Sequence, residues 1–366
     1  MTDWIQFPAQ TPAIVAPPSE ESATDVRLWL WIIAALVFAM VVVGGATRLT
    51  ESGLSITEWK PIAGVLPPLS EAQWAAAFED YKKIPQYREM FPNMELAQFK
   101  TIFAWEWSHR LLGRLIGFVF ALPLAWFWLR GRLPKSVKPK LLGILALGAL
   151  QGGVGWWMVS SGLVNRVEVA QERLAIHLLL AAFIFSACLW VAGGLGYKPR
   201  IIVASGRRRL SFFATALLVL VFVQIGAGAL VAGLRAGYAY NSWPLMDDNF
   251  IPPSDELLRL SPWWSNLVDN VALVQFDHRM IAYVLLALAL FHFIDAAGSA
   301  GGRVARGAGL LFGHIGAQAV LGIVTLLLVV PLWAALSHQA LAMGVLAVAT
   351  LHARRLRTAE AAADDD

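Results

Sequence analysis

The chain has 366 residues, of which 58% are hydrophobic and only 15% are Asp, Glu, Lys or Arg, with a mean hydropathy of +0.60. A soluble chain carries about a quarter charged residues, so a soluble globular enzyme is excluded. The net charge of +4 does not point to nucleic acid, because the bases gather in short loops between apolar runs.

The first 27 residues are Pro-rich and carry Asp3, Glu20, Glu21 and Asp25 against Arg27. Neither a signal peptide nor a transit peptide has that charge pattern, so 1–27 reads as a disordered cytoplasmic tail. Apolar runs follow near 28–47, 105–129, 141–162, 174–196, 210–233, 271–294, 308–329 and 332–352. Each is long enough for one membrane span of about 20 residues. Gly307–Ala353 holds 47 residues without a charge, and Pro331 divides it into two spans. The predicted fold is an all-α polytopic membrane protein of eight helices.

Loop charges orient these spans. Residues 130–140 hold five bases and no acid, and residues 196–209 again hold five bases and no acid. Arg303 and Arg306 face Asp295 in the next such loop, and Arg354, Arg355 and Arg357 follow the last span. The alternate loops differ: 49–104 is net −2 and 234–270 is net −3. Both termini are therefore predicted to be cytoplasmic, with the two long loops outside. The outer loop reads as partly helical around 71–83 and is placed to cover the first half. Residues 354–366 form a cytoplasmic tail.

The two halves repeat. Gly45-Ala46, Ser52-Gly53 and Trp59-Lys60-Pro61 are answered by Gly228-Ala229, Ala236-Gly237 and Trp243-Pro244. Trp-Glu-Trp-Ser-His109-Arg110 is answered by Val-Gln-Phe-Asp-His278-Arg279, Gln151…Gly155 by Gln318…Gly322, and His177 by His338. Four spans per unit make the repeats parallel. The expected units are an N-terminal four-helix bundle at 28–197 and a C-terminal one at 198–353.

Four of the seven histidines, His109, His177, His278 and His338, fall at matched positions near the outer ends of the even-numbered spans. Polar groups at that depth are costly and mark function by default. Two histidines on facing helices of an apolar bundle suit iron in a porphyrin better than zinc, which asks for four tetrahedral ligands. Arg48, Arg110, Arg173 and Arg279 lie at the same face, placed either to pair with propionates or to snorkel. Glu106 precedes His109 by three residues and shares its helix face, where the second half has Gln275. Burial favours a carboxyl that exchanges protons near neutrality, so the chemistry is expected in the first half and a permanently held cofactor in the second. The plainer alternative is that Glu106 anchors an arginine.

His278 and His292, like His338 and His352, are 14 residues apart, or about 21 Å along a helix. That spacing allows two stacked haems, as in a non-catalytic di-haem b-type electron carrier. Such a carrier needs His292 and His352 and gives His109 no task.

Residues 45–61 (GATRLTESGLSITEWKP), 99–110 (FKTIFAWEWSHR), 240–247 (YNSWPLMD) and 276–279 (FDHR) resemble the haem A synthase family of proteobacteria and mitochondria, over about Leu28 to Ala353. The resemblance implies oxidation of a ring methyl of haem O to a formyl group by successive hydroxylations, giving haem A for terminal oxidases. It implies haem b on His278 and His338, with substrate haem iron at His109 and His177 and Glu106 as the essential acid. It also implies haem O synthase upstream, an electron partner that the sequence leaves unknown, and a bacterial inner membrane. Membrane lipid surrounds the chain, no nucleic acid is expected, and a homo-oligomer is compatible with the sequence. Some members carry a cysteine pair in an outer loop. Here the one cysteine is Cys188, inside an apolar span. A secondary transporter and a haem exporter are the other rivals: the first favours charges at the midplane, and the second needs no Glu106.

Overall fold

The computed structural model describes residues 20–195, 206–300 and 302–364. In chain order its helices are α1 (Glu20–Leu49), α2 (Glu71–Lys82), α3 (Leu96–Leu129), α4 (Lys138–Ser160), α5 (Gln171–Ala192) and α6 (Arg207–Gly233). The one-turn α7 (Ser254–Leu257) and α8 (Asn266–Asp269) come next, then α9 (Val271–Ser299), α10 (Gly302–Leu327) and α11 (Leu332–Asp364). Eight of these are long and apolar enough to cross a membrane, and the described residues contain no strand. The chain is an all-α polytopic membrane protein.

Several limits differ from the hydropathy reading. α1 begins at Glu20, so the last eight residues of the expected tail are helical; residues 1–19 lie outside the described set, as do Lys198 and Arg200 of the second basic loop. α3 starts at Leu96, nine residues before its apolar run, because the Glu95 and Gln98 pair caps a water-soluble turn with Gln98 Oε1 accepting from the Glu95 amide at 3.0 Å. α11 runs to Asp364, since the Ala-, Arg- and Glu-rich end carries no helix breaker.

Local chemistry sets the other boundaries. Ser70 and Gln73 form a reciprocal capping box at the start of α2, which confirms the helix expected near 71–83. Asn270 Oδ1 accepts the amides of Ala272 and Leu273 at 3.0 and 3.4 Å and opens α9. The chain reverses between α10 and α11 at Val329 and Val330, both in the left-handed region (φ 58° and 57°), directly before Pro331, the predicted break.

α1 packs on α3 and α5, and α4 on the same two helices. α6 packs on α9 and α11, and α10 on that pair. α5 meets both α6 and α11, and α1 meets α11. Leu30, Leu141, Leu189, Leu217, Leu311 and Leu346 fill one continuous core across these helices. Within it Ser186 and Thr350 share a hydrogen bond of 2.9 Å, which satisfies two hydroxyls that have no water available.

Polar contacts tie the outer ends together. Arg235 pairs with Glu51 and with Glu168, and Arg48 lies 3.7 Å from Glu168 and donates to the Ala232 carbonyl. Burial pushes the Glu51 carboxyl above its ordinary range, and Arg235 pulls it partly back. Deeper in, Gln339 on α11 donates to the Val41 carbonyl on α1 at 2.7 Å.

Leu189 is 1% exposed at the centre of the core. Replacing it with Ala should cost about 2–5 kcal/mol, read as a lower unfolding midpoint of the detergent-solubilised chain.

Candidate functional site

The structure brings all four repeated histidines against glycines of neighbouring helices. A Cβ at Gly44 of α1 would lie 2.8 Å from His109 Cε1, one at Gly155 of α4 2.9 Å from His177 Cε1, one at Gly228 of α6 3.1 Å from His278 Cε1, and one at Gly322 of α10 2.8 Å from His338 Cε1. Any larger residue would push the ring away, so the glycines are there for close approach. These contacts also correct the repeat register. Gly44, not Gly45, is the partner of Gly228. The step to Gly53 is then nine residues, matching Gly228 to Gly237.

One helical turn before three of these glycines stands a glutamine. Gln151 Nε2 is 3.1 Å from His177 Nδ1 and donates to the His177 carbonyl at 3.0 Å. Gln224 does the same to His278, at 3.1 Å in both cases. Gln318 donates to the His338 carbonyl at 2.9 Å and lies 3.4 Å from its Nε2. Sequence reading paired Gln151 with Gln318 but missed Gln224. The signal was Gln-x3-Gly, three times over.

His278 and His338 face each other, with ring centroids 6.5 Å apart and planes at 75°. His109 and His177 lie on α3 and α5, both packed on α1. His292 and His352 behave differently. Their Nε2 atoms are 2.8 Å apart and both rings are buried, so the two bond directly to each other and leave no room for iron between them. His314 is satisfied within its own helix, Nδ1 to the Leu310 carbonyl at 2.8 Å. The stacked-haem arrangement expected of an electron carrier is therefore absent from this geometry.

Glu106 is 3% exposed and fully partnered. Its Oε2 accepts from Ser55 Oγ and from the Ile56 amide, each at 2.7 Å. Its Oε1 accepts from Arg110 Nη2 at 2.6 Å and Nε at 3.1 Å. Every partner is a donor, so both carboxylate oxygens are used wholly as acceptors. Arg110 continues to the carbonyls of Ile56 and Glu58 at 2.7 and 2.9 Å, and Arg114 holds those of Pro61 and Lys60. The 55–61 segment is thereby fastened to α3.

The second half uses the same frame with the opposite polarity. Gln275 Oε1 accepts from Arg279 Nη2 at 2.9 Å, while Gln275 Nε2 donates to the Ala236 carbonyl at 2.7 Å. Arg279 also donates to the Leu245 and Tyr240 carbonyls, and Arg173 donates to the Trp157 carbonyl at 2.7 Å over the indole ring. Of the four arginines considered for propionates, Arg110 and Arg48 meet carboxylates and main-chain carbonyls, Arg173 and Arg279 donate to main-chain carbonyls, and Arg279 Nε is buried without a partner. Cys188 is free and buried.

Residues 27–350 match the model of the cytochrome oxidase assembly protein family COX15-CtaA. The chain belongs to this family. It is 60% identical to a haem A synthase of Beijerinckia indica over 92% of this chain and 94% of that one. It is 59% identical to a haem A synthase of Rhodopseudomonas palustris strain BisA53, covering 90% and 91%, and 54% identical to that of Bradyrhizobium diazoefficiens, covering 95% and 96%. The match reaches all eight long helices and includes both histidine pairs, and the relatives' names are those of a haem-related enzyme with oxidative chemistry.

Because Gly228 leaves no space for a side chain beside His278, Gly228→Val should displace that ring and lower the haem held by the purified chain at least twofold. Gly143→Val, at a position with open space around it, should leave haem content unchanged. Pyridine haemochrome spectra of both variants check this.

Proposed function

We propose that the chain is a haem A synthase that oxidises a ring methyl of haem O to a formyl group by successive hydroxylations. The single observation that carries this is the polarity inversion between two matched frames, a carboxylate at Glu106 against an amide at Gln275, on a chain whose relatives bear that activity. Helices α1, α3, α4 and α5 make the unit that takes the substrate. Helices α6, α9, α10 and α11 make a second, parallel unit that holds the cofactor, the division at 28–197 and 198–353 that the sequence suggests.

The second unit fits a haem. Two metal–nitrogen bonds of about 2 Å and two imidazole radii span roughly 6 Å, close to the 6.5 Å between the His278 and His338 centroids. His338 Nδ1 and the Gln224 and Gln318 Oε1 atoms are buried without partners, as expected of groups arranged around an iron ligand. Haem b held there would supply one-electron transfer. Gln339, adjacent to His338, crosses to Val41 and lies over Gly45, next to the Gly44 that carries His109. This contact links the two histidine pairs through protein.

In the first unit His177 and His109 hold the substrate iron and set the depth of the macrocycle. Glu106 keeps a negative charge beside it, fixed by Arg110, Ser55 and Ile56, and stabilises positive charge that develops as the methyl is oxidised. The fastened 55–61 segment covers the outer end of this unit and limits water entry. Both termini face the cytoplasm, because the short basic loops lie on that side. The membrane is the bacterial inner membrane, and haem O synthase is the partner that supplies the substrate.

An amide at Glu106 would place an NH2 group against either the Ile56 amide or Arg110, both donors. Glu106→Gln should therefore lower haem A formation about a hundredfold or more, while the haem on His278 and His338 stays in place. Full haem A production by that variant would overturn the reading. His278→Ala should remove the resident haem and lower the unfolding midpoint, because a ligand that binds only the native state stabilises it.

A further inference from the structure

Three of the four histidines are gripped by a glutamine four residues before the glycine they rest on, and the fourth is not. Gln151, Gln224 and Gln318 each bond the main-chain carbonyl of their histidine and reach its ring. At the corresponding place before Gly44 stands Met40. Its Cε lies toward Gly113, where an added Cβ would come within 3.0 Å of it, and a thioether donates nothing and accepts weakly. His109 Nδ1 is buried with no partner; His338 Nδ1 is too, but its ring has the Gln318 amide 3.4 Å from Nε2.

The difference matters for an imidazole that binds metal. A ligating histidine carries its proton on the ring nitrogen away from the metal, and an acceptor at that nitrogen fixes the tautomer and raises ligand basicity. Gln151, Gln224 and Gln318 each keep a buried, unpartnered Oε1 on the amide beside the ring. Turning that oxygen to the ring exchanges the amide's bond to the histidine carbonyl for an acceptor at the ring N–H. Met40 has no such group, so a ligated His109 leaves its Nδ1–H unsatisfied in a site that excludes water.

We propose that Gln151, Gln224 and Gln318 are positioning residues that hold His177, His278 and His338 as firm iron ligands, and that His109 is the one ligand that yields. This rests on reading the first unit as the substrate haem site. It assigns His177 as the permanent anchor of the substrate iron and His109 as the side on which the iron opens to a small exogenous ligand. The resident haem, gripped on both faces, stays closed.

Carbon monoxide tests this on the full-length chain, purified in detergent from cells that make haem O and then reduced. It binds only ferrous haem with an open or readily vacated axial position, and its binding is read by absorbance rather than by turnover. In the unmodified protein carbon monoxide should bind the haem O or haem A fraction and leave the haem b fraction untouched. Met40→Gln should slow that binding at least tenfold at unchanged haem content, whereas His109→Ala should keep it fast. Equal rates in Met40→Gln and the unmodified protein, at equal haem content, would overturn the assignment of His109 and leave the site reading standing. A chain that takes up no haem beyond the one on His278 and His338 would overturn the site reading and this assignment with it. Gln224→Leu gives an independent arm: it should keep its haem b but open it to carbon monoxide, and a haem b that stays closed would contradict the positioning role.

Discussion

The contact between an imidazole and a glycine on the next helix governs this molecule. It occurs at four matched places, on α1 with α3, α4 with α5, α6 with α9, and α10 with α11, and a fifth time where Gly307 of α10 meets His352 of α11. Each contact requires two helices to approach without a Cβ between them, and this fixes both the spacing of the pair and the depth of the ring. An apolar side chain in a bilayer gains little by leaving lipid for protein, so such close-packed, small-residue contacts carry much of the helix association. The same contacts that hold the helices together also fix where the four rings stand.

On this common frame the two halves differ at a few positions. Glu106 and Gln275 occupy one position, each with an arginine one turn later, yet the loop opposite offers donors to the first and a carbonyl to the second. Loop and side chain are matched, so neither can be exchanged alone without facing donor to donor or acceptor to acceptor. Met40 against Gln224 is a second difference, and Gln339 at the contact with α1 is a third, since the residue after His177 is Leu178. On the proposed reading the first frame admits and modifies a haem, and the second retains one.

Much of this was legible in the sequence, and the misses have physical causes. Apolar runs gave all eight spans, and Pro331 located the turn that Val329 and Val330 make. Helix ends that project beyond the apolar runs were missed, because hydropathy reads lipid and not the capping of water-exposed turns such as Glu95 with Gln98. The four histidines and Glu106 stood out because ionisable groups are rare in such spans. The ion pair of Glu106 with Arg110 was visible as spacing, but Ser55 and Ile56, about 50 residues earlier, could be placed only by the fold. The 14-residue histidine spacing also fitted a stacked-haem pattern. It is instead a direct bond between His292 and His352, which no spacing along a single helix reveals.

The central claim is that one half holds a haem and the other changes one. The most direct measurement is the identity and stoichiometry of haems extracted from the purified chain, taken before and after exposure to excess haem O. The account predicts one haem b per chain that persists through the exchange, together with a substoichiometric fraction of haem O and haem A that turns over. Two equivalents of persistent haem b, or a stable protein without any haem, would contradict it.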